Sequence, residues 1–466
     1  MSRFFTKGFY LTVFLFSLFF LVFFRSGIGL RLSGDFDEQC YLAMAEKLVG
    51  ANSSGCMEKS HFPGIAFLWF PAAALGRLVA WLLNETPHDW IAAFCGFCSF
   101  LFWCLTVLLF QKIIIHYDRP DKKRGDNPFN FGFLSLSFIL ILNVPSFYYS
   151  YARTLMAHSG EVFLSFLFLY LTIRKKALYS GLALVFLILT RPNNLGAVFV
   201  YFSAFGTQRE FLFKYLRWLS LMSVLILVAY FGFYKGYHGT YLIPSLIKWD
   251  LNRLVLFFFR TDLGIVWNQS LWTLVLLGAF FKLAKLNSFQ ESLLSWMTTS
   301  ILFTLFWPTA GSSFGYRYLL GSHAAALLLF LELSVVYQSF FLKFKKAIGA
   351  FLALGALWAI NQYWSSTAPP PFWPWQDPFL KTLTPPFWIV ENWWLRFPDM
   401  LRLFQFSSVW QILCLFGAPE PYLTFKGEHV PYFFEGSHKI FSLGLSLLAL
   451  SCLFLSLFKM IRYRTR

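Results

Sequence analysis

Apolar residues run along this chain in blocks of helical length and do not alternate with polar ones. Such blocks occur at about 9 to 24, 91 to 115, 131 to 147, 161 to 173, 177 to 190, 194 to 206, 217 to 234, 265 to 283, 290 to 307, 317 to 341, 347 to 364 and 438 to 458. They predict an all-α polytopic membrane protein of about 12 transmembrane helices with external juxtamembrane helices. The blocks at 161 to 173, 177 to 190 and 194 to 206 fall short of the roughly 20 residues a bilayer requires, so they must tilt or draw on polar flanks. The first block is followed by Arg25-Ser26-Gly27 without a small-x-small cleavage site and reads as an uncleaved anchor. A further stretch, 62 to 83, is broken by Pro63, Gly64, Pro71 and Gly76 and carries Arg77 in its interior.

Composition sharpens this reading. Of 466 residues 58% are hydrophobic and 13% charged, with 61 Phe and 18 Trp, against roughly 25% charged in soluble proteins. A water-facing sphere has no room for that much apolar surface, so lipid is the solvent for much of it. The net charge of +17 does not point to nucleic acid, because no basic cluster sits in polar sequence long enough to form a binding domain. It reads as topology. If 62 to 83 does not span, the loops 1 to 8, 112 to 130, 174 to 176, 207 to 217, 282 to 291, 342 to 346 and 459 to 466 share one side. With Glu332 they carry a net +16, and the opposite side a net +1. A spanning 62 to 83 would turn Lys122-Lys123-Arg124 outward and erase the asymmetry. The positive-inside rule therefore puts both termini in the cytoplasm and makes 62 to 83 juxtamembrane or re-entrant.

The chain then divides into a transmembrane module, 1 to 364, with an external loop at 25 to 90; an external segment rich in Pro and Trp, 365 to 437, suited to the membrane interface; and a last helix with a basic cytoplasmic tail, 438 to 466. Of the seven cysteines, Cys95 and Cys98 form a CxxC inside an apolar block and read as packing. Cys40 and Cys56 share the first external loop and can pair if that side is oxidising. No His stands at zinc-ligand spacing from any cysteine, and no metal site is assigned, although a divalent ion remains compatible with the chain.

Candidate chemistry gathers on the external side. Asp35, Asp37 and Glu38 precede Cys40, Tyr41, Met44, Ala45 and Leu48 at helical spacing, so an amphipathic helix pressed on the membrane begins here. Asp35 and Glu38 fit a capping box, which leaves Asp37 for another purpose. His158 and Glu161 stand where the next external turn enters an apolar block, and an ionisable residue at such depth is a functional candidate. Lys59, His61, Arg153, Arg260 and Arg317 lie near helix ends on the same side. Their alternative partners are lipid headgroups, nearby acids or a bound phosphate.

In four stretches the chain resembles the glycosyltransferase C superfamily, the multi-pass enzymes that take sugar from a polyprenyl or dolichyl phosphate carrier. It is similar to the branch holding protein O-mannosyltransferases and lipid A aminoarabinose transferases. Asp37-Glu38 with Tyr41 and Ala45 resembles the acid pair of the first external loop. Glu58-Lys59-Ser60-His61-Phe62-Pro63-Gly64 resembles the lead into the juxtamembrane helix, with Phe62 in place of the first Pro of the usual Pro-Pro-Gly. Glu161 falls at the second acid, and Gly181 through Thr190-Arg191-Pro192 resembles the Gly-rich helix ending in Arg-Pro. Gly311 through Gly315-Tyr316-Arg317-Tyr318 resembles the late external turn. The likeness covers about residues 9 to 330; residues 365 to 437 match no pattern of the family.

The resemblance implies transfer of a sugar from a polyprenyl-phosphate donor to a hydroxyl of a lipid, glycan or protein acceptor at the outer face of a membrane, such as the bacterial inner membrane. Asp37 is then the expected general base, with Glu38 beside it, and Glu161 orients the acceptor or the sugar. Arg317, Arg153, Lys59, Arg260 and His61 are expected on the donor phosphate, and His158 and Tyr316 near the acceptor or sugar. No cofactor is assigned, a divalent metal staying open, and with no nucleotide-sugar Rossmann signature or Gly-rich phosphate loop present a lipid-linked donor is favoured over a soluble one. Two other classes fit the same composition, a flippase of lipid-linked glycans and an O-antigen-type polymerase.

Overall fold

The computed structural model describes residues 2–23, 36–52, 62–117, 154–206, 220, 223–224, 226–235, 258, 265, 269–282, 285–306, 319–367, 407–425, 428–431 and 436–464. There the apolar blocks are helices: α1 (Ser2–Phe23), α2 (Phe36–Leu48), α3 (Gly64–Leu83), α4 (Pro87–Tyr117), α5 (His158–Ile173) and α6 (Ala177–Thr190). After the 3-10 turn Pro192–Gly196 follow α7 (Ala197–Phe205), α8 (Ser270–Lys282), α9 (Ser288–Phe306), α10 (His323–Val336), α11 (Gln338–Thr367), α12 (Ser408–Cys414) and α13 (Gly436–Arg464). The expected block at 194 to 206 thus opens as a 3-10 turn. Arg191 is extended there and Pro192, which has no N–H, sits at the start of the turn. The block at 317 to 341 is divided at Tyr337, between α10 and α11. The block at 131 to 147 lies outside the described residues.

Within the segment 365 to 437, β1 (Tyr422–Phe425) and β2 (Glu428–Pro431) pair antiparallel, Tyr422 opposite Pro431. Apart from this hairpin the regular elements among the described residues are helical.

By length and composition three described helices can cross a membrane: Gly64–Leu83, Pro87–Tyr117 and Lys439–Arg462. Others are apolar but short, among them His158–Ile173, Ala177–Thr190 and His323–Val336. The expected count of twelve spans is not reached among the described residues. The physical reason is helix length. The 16 residues of α5 make about 24 Å and the 14 of α6 about 21 Å, against about 30 Å of bilayer hydrocarbon.

Ring contacts fix how the helices run. Phe102 stacks on Phe163 at 5.1 Å, Phe110 meets Phe166 edge-on at 5.6 Å, and Lys112 lies 5.8 Å over the Tyr170 ring. The paired residues rise together in number, so α4 and α5 are parallel. At their C-terminal ends Tyr117 donates to Glu332 of α10 at 2.6 Å, and Gln290 of α9 donates to the same carboxylate at 3.3 Å. The turn Arg174-Lys175-Lys176 follows α5 at this end, Lys175 taking φ 56°. The opposite end of this bundle carries the N-terminus of α5, the C-terminus of α6 and the N-terminus of α10.

The stretch expected to be juxtamembrane or re-entrant is one unbroken helix, α3, with Pro71 inside it. It starts against the top of α6: a Cβ on Gly64 would fall 2.5 Å from the Thr190 backbone, so only glycine fits. Further along, Gly76 lies against Trp90 and Ile91 of α4. Helix α3 therefore runs antiparallel to the first half of α4 and away from the end that holds Lys175. Its outer surface shows Phe70, Leu75, Leu78, Trp81 and Leu82.

Helix α2, expected to press one face on the membrane, packs on α3 and α4. Cys40, Tyr41, Leu42, Ala43, Met44 and Ala45 are all buried, as are Glu38 and Glu46. Buried residues at successive positions point to every face of the helix, so neighbours close around it where an amphipathic stripe would leave one face open. Cys40 is disulfide-bonded; Cys95, Cys98, Cys104, Cys414 and Cys452 are free, and Cys56 lies outside the described residues. At the far end of the chain α13 packs along α1 and α12. Phe441 stacks on Phe94 at 5.3 Å, and the Ser437 hydroxyl donates to Glu85, which also accepts from Trp90 Nε1 at 2.7 Å.

Candidate functional site

Four buried polar side chains meet where α5 begins, α6 ends and α10 begins. Glu161, in the first turn of α5, is 0% exposed, and His158 one turn before it 1%. The sequence between the apolar α6 and α7 is Arg191-Pro192-Asn193-Asn194-Leu195-Gly196, whose Pro ends the helix and brings both asparagines to Glu161 of α5. Asn194 Nδ2 donates to Glu161 Oε1 at 2.7 Å and Asn193 Nδ2 to the same oxygen at 3.3 Å. The backbone N–H of Gly321 also bonds the carboxylate. Glu161 Oε2 faces His158 Nδ1 at 3.3 Å and Arg191 Nη1 at 3.8 Å.

The donor directions follow from the chemistry of the partners. Trp296 Nε1 of α9 can only donate, and it points at Asn194 Oδ1 from 3.4 Å. That fixes the amide and leaves its NH2 for Glu161. Gly321 must be glycine because a Cβ there would lie 2.0 Å from Asn194 Oδ1. Ser300 of α9 donates to the Asn193 carbonyl at 3.1 Å and ties the same turn to α9. A buried carboxylate is costly unless it is fully hydrogen-bonded and neutralised, and here amides, a backbone N–H and a guanidinium supply both needs. Arg191 Nη1 is 3.0 Å from His158 Nδ1 and 3.5 Å from Nε2. The Nη1–H group is thus directed at the His158 imidazole.

Of the residues expected from sequence, the structure brings Glu161 and His158 together. Glu38 is on α2, 2% exposed. Asp37 is in the first turn of α2 by its backbone, and its side chain lies outside the described residues, as do Lys59, His61, Arg153, Arg260, Tyr316 and Arg317. Sequence reasoning ranked none of Arg191, Asn193, Asn194 and Trp296. For Arg191, Asn193 and Asn194 the signal was the polar run between two apolar blocks, read there only as a helix ending in Arg-Pro, whereas Trp296 lies inside an apolar block. Among the described residues no three of His, Cys, Asp and Glu gather as a metal site.

Comparison with protein-family models, with curated proteins and with solved structures finds no match to this chain.

Proposed function

We propose that the chain is a membrane glycosyltransferase that moves a sugar from a polyprenyl-phosphate carrier to a hydroxyl on a lipid, glycan or protein acceptor. It works in twelve spans with both termini cytoplasmic, as in a bacterial inner membrane, and its site lies at the end of the bundle that holds Glu161. The observation that carries this reading is the buried Glu161 cluster, a fixed carboxylate with an arginine at its edge, opposite the end where Arg174, Lys175 and Lys176 gather. That separation matches the charge asymmetry along the sequence, and the Cys40 disulfide favours an oxidising compartment on the α2 side.

The chemistry needs two things. An acceptor hydroxyl gives up its proton as it attacks, which asks for a carboxylate base, here Asp37. The departing polyprenyl phosphate needs fixed positive charge, assigned to Arg317, Arg153, Lys59, Arg260 and His61, with Tyr316 and His158 toward the sugar and acceptor. The flippase reading requires halves that rock about the site. Against it, α9 is joined directly to α10 by the Gln290–Glu332 bond and to the turn after α6 by the Trp296–Asn194 bond.

The test is incubation of the purified protein in detergent with a panel of polyprenyl-phosphate sugars and mass analysis of the products. Released polyprenyl phosphate is the expected outcome; unaltered carrier across the whole panel defeats the proposal.

A further inference from the structure

We infer that the opening turns of α11 form a docking surface for anionic phospholipid, in which Lys343, Lys345 and Lys346 receive headgroup phosphates beside the exposed Phe340 and Phe344. This surface lies at the end of the bundle opposite Glu161 and owes nothing to the transferase reading.

The chain bends back at Tyr337, where the backbone leaves the helix of α10 at φ −109° and ψ 41°. Phe341 then meets Phe330 edge-on at 5.5 Å, although residues 330 and 341 would stand about 16 Å apart along a straight helix. Phe341 and Ile348 pack against the core and Leu352 lies within it. Their spacing along the helix marks the face of α11 turned to the protein. Two residues on from Phe341 the helix has turned by about 200°, so Lys343, and Lys346 one turn later, look away from the protein. Phe340 and Phe344 lie between these faces with their rings 4.8 Å apart, and they are 56% and 40% exposed. All three lysines are exposed.

Charge and depth together identify the occupant. Among the described residues no carboxylate pairs with any of the three lysines, and Lys343 lies 5.5 Å over the Phe344 ring. Glu332, the nearby acid of α10, already accepts from Tyr117 and Gln290. The apolar block that follows, 347 to 364, is about 27 Å long as a helix, close to the roughly 30 Å of bilayer hydrocarbon. That length sets the lysines at headgroup level, where their stems lie along apolar surface and their ammonium groups reach phosphate. Deeper in the hydrocarbon they would be costly. A basic face beside an aromatic one is the composition of an interfacial helix, and a cluster of lysines just outside an apolar block attracts anionic lipid. Phosphate is the anion that this depth supplies.

The test places the full-length protein in nanodiscs of phosphatidylcholine with a small share of phosphatidylglycerol and counts the lipids it retains by native mass spectrometry. The parent should retain phosphatidylglycerol well beyond its share. Replacing Lys343, Lys345 and Lys346 together by Gln should remove that excess, by about 5-fold per lysine and about 100-fold for the three. The same three positions as Arg should keep it. Raised salt should weaken the preference of the parent, and inorganic phosphate at equal concentration should not displace the lipid. Melting in phosphatidylcholine alone should be the same for the parent and both triple variants, which separates lost lipid from lost folding. Lys175→Gln with Lys176→Gln, at the same end but outside α11, should leave most of the excess in place.

A parent that retains the two lipids in their mixing ratio, or a triple Gln variant that retains phosphatidylglycerol like the parent, overturns the assignment. An equal loss from Lys175→Gln with Lys176→Gln would trace the preference to the net charge of that end and remove α11 as its seat. Displacement by inorganic phosphate would make the cluster a site for a free anion and reject the lipid. Two copies per disc in the parent, falling to one in the triple Gln variant, would show a contact between copies in place of a lipid surface.

Discussion

At the scale of single residues, the same substitution should have opposite signs at two glycines. In Gly321→Ala the new methyl falls 2.0 Å from Asn194 Oδ1, so the amide must move and loosen its bonds to Trp296 and Glu161. We expect a loss of about 1 to 3 kcal/mol, the range for overpacking a filled site, with weakened donor binding. In Gly349→Ala, inside α11, the methyl meets nothing within 4 Å and helix propensity should gain up to about 1 kcal/mol. Thermal melting of the two variants in one detergent decides both; a Gly321→Ala protein that melts with the parent would show that the amide is not locked. Asp37→Asn should lower the transfer rate about 10²- to 10⁴-fold, the usual contribution of a general base, whereas Asp35→Asn should be mild because Asn caps as well as Asp. A parental rate in Asp37→Asn removes it as the base. Glu161 was legible from sequence because it stands at the head of an apolar block. Asn194 was not, because its value comes from meeting Glu161, Trp296 and Gly321, and no local pattern encodes partners so far apart along the chain.

At the scale of elements, helix positions follow the apolar blocks closely. The block at 177 to 190 is the helix Ala177–Thr190 to the residue, since hydrophobic length is what sets these helices. The departures have local causes. Pro192 turns the start of one block into a 3-10 turn, and α3 holds together through Pro71 because glycines at 64 and 76 let it lie close on α6 and α4. Periodicity cannot show that α2 would be enclosed, because that depends on which neighbours arrive. A short element outside the spans offers a chemical test. Burial and the Glu420 carboxylate raise the Cys414 thiol above its ordinary range, while Lys439 opposes them. Since the thiolate is the reactive form, maleimide labelling of Cys414 should be slow at neutral pH and rise as the pH is increased through the alkaline range. Glu420→Gln should speed it, both by removing one negative charge and by releasing Lys439, its partner at 3.6 Å. A rate indifferent to that substitution would show that α12 does not face Glu420 in the membrane.

At the scale of the whole molecule, orientation is the first prediction. Single cysteines at residue 123 should resist an impermeant reagent in intact cells, and those at exposed position 47 of α2 and in 365 to 437 should react; labelling of 123 from outside would invert the charge argument. Charge asymmetry made that orientation legible, while the unequal heights of the helices around the site were not, because an apolar block shows no absolute depth. The 31 residues of α4 reach about 46 Å. On the side of α6 and α7, where Tyr179, Phe199 and Phe202 look outward, the helices stop near half that length. A bilayer cannot match both walls. Lipid beside the short wall must thin by several ångströms, at a cost of fractions of a kcal/mol per ångström of mismatch. The protein should therefore carry a dimple in the membrane at the foot of Arg191, where a headgroup sinks toward the site while its chains stay in oil. Transfer should then be faster in vesicles of shorter-chain lipid than in thicker ones, and a rate independent of acyl length would mean that the short wall is sheltered by protein.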